Sequence, residues 1–191
     1  MKYLASILLI WTTLLGTCGI SLAQNPFASA MQDGEHVLLM RHADAPGYGD
    51  PQGYQLTQCS TQRNLGGSGK KQAQAIGEWL SKQGISNARV YSSPWCRCLD
   101  TASLLNKGAV TKEAVLGSFF DDMSQAKKQT EDLEKLIQAE RMKYPKAPMI
   151  MVTHHVNIES LTGKILNSGD MILLKVNSSG KALSHKLYPS P

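Results

Sequence analysis

His36-Val37-Leu38-Leu39-Met40-Arg41-His42 is an aliphatic run that closes on an arginine and a histidine. A short apolar stretch bounded by polar residues reads as a buried strand, and in an open α/β sheet the carboxyl end of such a strand faces the ligand crevice. Arg41 and His42 are therefore candidate site residues. Arginine presents a planar fork matched to phosphate, and histidine is a nucleophile or base near neutral pH, so the pair points to phosphoryl chemistry.

Upstream, Lys2, the apolar core of residues 4–15 and Ser21-Leu22-Ala23 have the layout of an export signal cleaved after Ala23. The apolar run falls short of the ~20 residues a spanning helix needs, and no other of that length follows. The expectation is an exported soluble protein, periplasmic or secreted, with no transmembrane segment once the signal is removed. Cys18 raises a lipoprotein as the lesser alternative, because a lipidated cysteine usually follows a small residue and Thr17 fits that poorly. Residues 24–191 suffice for one ordinary core and not comfortably for two, which predicts a single domain. Loss of Lys2 lowers the formal charge from +5 to +4. This mild excess suits an anionic small substrate, while a pair such as Lys127-Lys128 reads as solvated surface. No basic stripe interleaved with aromatics occurs, which argues against nucleic acid as a partner.

Residues 43–69, rich in Gly, Pro, Ser, Thr and Gln, form a long loop leaving directly from His42 and are expected to line a pocket. The spacing of Ala73, Ile76, Trp79 and Leu80 predicts a helix over 68–83 ended by Gly84, with Trp79 in the core. A short strand over 88–91 leads into Ser92-Ser93-Pro94, a helix start with proline in the first turn, and that helix runs to Leu105. Next come a turn over 107–111, a third strand over 114–120, and an amphipathic helix over 124–144 with Leu133, Leu136, Ile137 and Met142 as its apolar stripe. Met149-Ile150-Met151-Val152-Thr153 is a fourth buried strand, followed by His154-His155 and a helix over 157–166. Strands over 171–176 and 182–187 close the chain. The alternation predicts an α/β protein, a three-layer α/β/α sandwich with a mainly parallel sheet.

Three strand ends thus deliver one kind of chemistry: Arg41 with His42, Arg97 one helical turn beyond Pro94, and His154. In a parallel sheet these ends share one edge, so the four side chains converge on a site of phosphate size. Leu39-Met40-Arg41-His42-Ala43, Ser92-Ser93-Pro94-Trp95-Cys96-Arg97-Cys98-Leu99-Asp100-Thr101-Ala102 and Val152-Thr153-His154 resemble the three motifs of the histidine phosphatase superfamily, the phosphoglycerate mutase-like fold. Cys59-Ser60-Thr61-Gln62-Arg63-Asn64-Leu65 and Thr153-His154-His155-Val156-Asn157-Ile158 further resemble a branch of small exported bacterial members. Ala43 and His155 stand where glycines are common in the family, which bears on substrate access more than on chemistry.

The resemblance implies a phosphomonoester hydrolase in which His42 attacks phosphorus to form a phosphohistidine, with Arg41, Arg97 and His154 on the equatorial oxygens and neither cofactor nor metal. To attack, His42 must be neutral, its other ring nitrogen donating to a backbone carbonyl. The acid that protonates the leaving oxygen is expected after the third strand, at Asp121 or Asp122, with Asp44 next; the aspartate pair also reads as a helix start before Ser124. Arg63 reads as a phosphate contact or a surface arginine, and His155 as a pocket wall. Asp44, Arg63 and His155 are thus the candidate substrate-binding residues, and His36 and His185 read as structural or exposed. The partner implied is a small phosphorylated substrate, including a sugar phosphate of the envelope. Rival readings are a phosphomutase, a non-catalytic phospho-ligand binding protein of the same fold, and a zinc enzyme built on His42, His154 and His155, which lacks an HExxH helix or acidic ligands. Cys59, Cys96 and Cys98 remain after the signal, an odd number in a compartment where disulfides form. Cys96 and Cys98 are too close to bridge each other easily, so Cys59 is expected to pair with either one.

Overall fold

In the computed structural model, which describes residues 25–191, the opening run is strand β1 (His36–Arg41), with Val37 through Met40 completely buried. β2 (Arg89–Ser92), β3 (Val110–Lys112), β4 (Met149–Thr153), β5 (Met171–Val176) and β6 (Ala182–Tyr188) join it in one sheet of order β3-β2-β4-β1-β5-β6. The first four strands run parallel, whereas β5 is antiparallel to β1 and β6 to β5. The export signal and Cys18 lie outside the described residues.

The aliphatic run is unbroken because β1 is covered on both faces, as central parallel strands are. Leu38 and Met40 pack with Ile150, Val152 and Leu173 against α1 (Pro26–Met31), α2 (Gly67–Lys82) and α3 (Cys96–Leu104). Val37 and Leu39 pack with Met151 and Ile172 against Leu133 and Ile137 of α4 (Ala126–Lys143) and Ile158 of α5 (His155–Thr162). Helices therefore sandwich the sheet in three layers, as expected from the alternation. Among the described residues, no helix is long and apolar enough to cross a membrane.

Four expectations need correction. The third strand is Val110–Lys112, and residues 114–120 hold instead a 3-10 turn, Ala114–Leu116, that drops Leu116 into the core. β3 pairs only with β2, and Thr111 and Lys112 are exposed, so an edge strand of this kind carries no apolar pattern. Met142 is 76 % exposed rather than part of the stripe; at 100° per residue it sits about 140° around α4 from Ile137. Pro94 precedes α3, which starts at Cys96 after Trp95 in extended conformation. α5 begins two residues earlier than expected, directly after His154, and stops at Gly163 in the left-handed region (φ 69°). The short helix α1 carries no sequence reading; Phe27 and Met31 bury it against the first core.

Candidate active site

The β1–β4 and β4–β2 pairings set three carboxyl ends side by side, with Arg41 opposite Thr153 and Ser92 opposite Val152. The ladder continues one residue beyond the strands: His42 N–H donates to Thr153 O (3.0 Å) and Ser93 N–H to Val152 O (3.0 Å). These bonds fix the backbone that carries His42. Arg97 projects from the first turn of α3, and His154 is the extended residue that opens α5. Buried Thr101 ties these parts together, its hydroxyl accepting from Ala43 N–H (3.0 Å) and donating to Arg97 O (2.7 Å).

His42 is 2 % exposed, and its Nδ1 lies 2.8 Å from Ala43 O. A carbonyl only accepts, so Nδ1 carries the proton and Nε2 keeps its lone pair. Nε2 in turn accepts from Arg97 Nε at 3.3 Å. Burial pushes the His42 pKa down to about 3, aided by repulsion from Arg97, Arg41 and Arg63 and opposed by the Ala43 bond. His154 is also held well below the ordinary histidine range, first by burial and then by His42 and Arg97. Its Nε2 lies 2.8 Å from Ser93 Oγ, which accepts from Trp95 N–H (3.3 Å). With a second lone pair and its own proton, the serine hydroxyl can pair with Nε2 of His154 in either tautomer. The backbone-locked tautomer expected for His42 is thus present, and both rings are neutral at neutral pH.

Three guanidiniums line the same cavity. Arg41 Nη1 donates to Leu166 O (2.9 Å), while its buried Nε has no partner. Arg63 Nε donates to Gly49 O (2.7 Å) and its Nη1 to Ala45 O. Burial and the neighbouring Arg97 lower the pKa of both Arg41 and Arg63. Crowded, partly desolvated cations with an unpartnered donor form a site that favours an anion.

One member was not legible in the sequence. Asp50 is buried beside Arg97 Nη1 (2.8 Å) and accepts from Arg63 N–H (2.9 Å) and Trp95 Nε1 (3.1 Å). Burial raises its pKa, but these bonds outweigh that and hold it below the usual carboxylate value. A lone acid between Gly49 and Pro51 in a long loop signals no such role. Buried Gln62 accepts from Cys96 N–H (2.9 Å) and donates to Gln55 O (2.9 Å), stitching the loop to α3.

Other expected residues divide. Asp121 and His155 line the cavity with Arg63. Asp122 does not: its carboxylate accepts from Ser124 N–H (3.2 Å) and Ser124 Oγ (2.5 Å), capping the turn before α4, which is the helix-start reading. Asp44 is likewise absent from the cavity wall, accepting from Ser68 Oγ (2.9 Å). The Asp44 carbonyl sits where a Cβ on Gly69 would fall, 1.9 Å away, so only glycine lets α2 approach the loop here. Cys59 bonds to Cys96, and Cys98 is free and buried, its Sγ 3.5 Å from His154 Nε2. No group of three His, Cys, Asp or Glu side chains among the described residues is arranged to hold a metal ion.

The cavity opens to solvent and, with its mouth, encloses about 510 Å³. No curated protein sequence matches the chain. Solved structures share its fold: the protein histidine phosphatase SixA complexed with tungstate (TM-score 0.57, 16 % identity, 80 % of this chain and 94 % of that one) is one. Others are a mycobacterial glucosyl-3-phosphoglycerate phosphatase bound to VO3 (0.54, 15 %, 82 % and 100 %) and a phosphoserine phosphatase from Entamoeba histolytica with 3-phosphoglyceric acid (0.55, 12 %, 73 % and 89 %). Residues 37–117, the segment bearing Arg41, His42, Asp50, Arg63 and Arg97, match the family model of the histidine phosphatase superfamily, branch 1.

Proposed function

We propose that the chain is a histidine phosphatase that hydrolyses phosphomonoesters through a covalent phosphohistidine on His42. The observation that carries this is the His42 ring, with its proton held on Nδ1 by Ala43 O and Nε2 unprotonated among three guanidiniums. Nε2 attacks phosphorus in line, the P–O ester bond breaks, and the departing oxygen takes a proton from Asp121, the cavity-lining carboxyl group other than Asp50, which is paired with Arg97. Arg97 passes its Nε–H from His42 to a phosphate oxygen, and Arg41 Nε and the N–H of the His154 ring donate to the others. Water then attacks phosphorus, passing a proton to the Asp121 carboxylate left by the first step, and the P–Nε2 bond breaks, which releases inorganic phosphate and restores both Nε2 and the acid. No step calls on a metal or cofactor.

The substrate is a small phosphate ester met outside the cytoplasm after export by residues 1–23. Relatives of the same fold are named for glucosyl-3-phosphoglycerate and phosphoserine, which supports a small phosphorylated metabolite. The test is hydrolysis of phosphate monoesters by wild type and His42→Ala, with trapping of an acid-labile phosphoprotein. Loss of both turnover and label in the variant is expected; undiminished turnover overturns the reading.

A further inference from the structure

The cavity that contains His42 also contains a row of rings outside the phosphate pocket. Tyr48 is 86 % exposed, and its ring meets Phe120 edge-on with centroids 5.3 Å apart. Phe120 in turn lies 5.7 Å from His155, the residue that follows His154 in the chain. All three line the cavity. Burial, and then Arg41, lowers the His155 pKa, so this wall holds a neutral ring at neutral pH.

Single exposed aromatics are common on protein surfaces and need no explanation. Tyr48 differs in how it is held. It stands between Gly47 and Gly49, both at positive φ (97° and 64°), so the chain turns sharply on either side of it. The turn is pinned rather than loose: Arg63 donates to Gly49 O and Ala45 O, and Asp50, two residues on, is buried against Arg97 and Trp95. The same arginine that lines the phosphate pocket therefore fixes the tip carrying Tyr48. A ring placed this way, edge-on (83°) to a second ring that is itself tilted 58° from a third, is a preformed aromatic wall of the cavity that holds the reactive nitrogen.

We propose that Tyr48, Phe120 and His155 form a leaving-group subsite for alcohols with a flat, largely apolar ring face, an arene or a hexopyranose, joined to phosphate by a short link. This rests on the reading of Arg41, Arg97 and His42 as the phosphate pocket. A ring gains contact with the wall at little conformational cost, because it has few rotors to freeze, whereas an acyclic chain must be ordered to make the same contact. The proposal thus concerns selection among phosphate esters rather than the chemistry of the phosphate.

Non-hydrolysable phosphonates separate binding from turnover. Benzylphosphonate, the methylene-phosphonate isostere of a hexopyranose 6-phosphate, and propylphosphonate are titrated calorimetrically into wild type, Tyr48→Ala and Tyr48→Phe. One or both ring ligands are expected to bind wild type about tenfold more tightly than propylphosphonate, and the one that does identifies arene or sugar. Tyr48→Ala is expected to erase most of that margin, and Tyr48→Phe to keep it. Equal affinities for all three ligands in wild type, or equal weakening of all three by Tyr48→Ala, overturns the subsite. A retained ring preference in a protein that hydrolyses no ester supports the subsite and overturns only the proposed hydrolysis.

Discussion

Asp50 and Arg97 form an ion pair at 2.8 Å, with side chains 5 % and 4 % exposed, inside the cavity that holds the candidate nucleophile. The pair orients the guanidinium so that Nε meets His42 while Nη1 is occupied. Removing one partner of a buried pair leaves an uncompensated charge and costs roughly 3–5 kcal/mol. Asp50→Ala is therefore expected to lower the urea midpoint markedly, and Asp50→Asn less, because an amide oxygen at the Oδ1 position still accepts from Arg97 Nη1 and the Arg63 backbone and only the Trp95 bond at Oδ2 is given up. Both variants should lose kcat as Arg97 swings from its plane. Wild-type kcat in Asp50→Ala would show that Arg97 needs no such anchor.

The ring of His42 is neutral in the fold down to a pKa of about 3, against an ordinary value of 6.5. Between those values the unfolded chain binds a proton that the folded chain does not, so stability falls as pH drops below 6.5 and goes on falling to about 3. From pH 7 to pH 5 this contributes a loss of about 2 kcal/mol. His42→Gln is expected to lack that loss, so its unfolding free energy should converge on that of wild type as the solution is acidified. Parallel curves for the two proteins in urea titrations at both pH values would contradict it. By the same shift, the acid limb of kcat/KM is not set by a nucleophile titrating near 6.5.

Asp121 lines the cavity whereas Asp122 caps a turn. In the proposed hydrolysis, Asp121→Asn should reduce kcat by about 10²-fold or more for alkyl phosphates and far less for aryl phosphates with good leaving groups. Asp122→Ala should lower the thermal midpoint slightly and leave both rates alone. Equal effects of Asp121→Asn on the two substrate classes would remove it as the acid.

The Cys59–Cys96 bridge joins residues 37 apart and anchors the loop over the cavity to the first turn of α3, next to Arg97. Its loss is expected to cost roughly 3–4 kcal/mol by the chain-entropy model. Cys59→Ser should therefore combine a lower urea midpoint with weaker phosphate binding. Cys98, whose thiol burial pushes up to about 12, should resist alkylation until the protein unfolds, as peptide mapping would read.

Arg41, His42, Arg97 and His154 were legible because strand ends place side chains predictably and because their chemistry agrees from three separate elements. Asp50 was not, since its role comes from burial by a loop whose path depends on the Arg63 bonds and the disulfide, none of which leaves a periodic pattern. The central strands were legible as aliphatic runs, being covered on both faces. The edge strand Val110–Lys112 was not, because one partner and an exposed face demand little of its sequence. Asp121 and Asp122 are chemically identical neighbours, and only the turn geometry separates a wall residue from a cap. Choosing Cys96 over Cys98 as the partner of Cys59 likewise required the direction each takes from α3: Cys98 faces the core.

The bond that holds the proton of His42 on Nδ1 runs to the carbonyl of the very next residue, Ala43. The placement of that proton thus needs no distant loop, whereas the bond at Nε2 comes from Arg97, which Asp50 holds. Exchange of the segment bearing Tyr48 for a loop of another length would alter what enters the cavity while the imidazole kept its tautomer. Such a division lets diverging lineages acquire new ligands by replacing the loop tip without reinventing the reactive nitrogen, and it marks Gly47 to Gly49, short of the anchors Asp50, Cys59 and Arg63, as the place to graft when redirecting this scaffold.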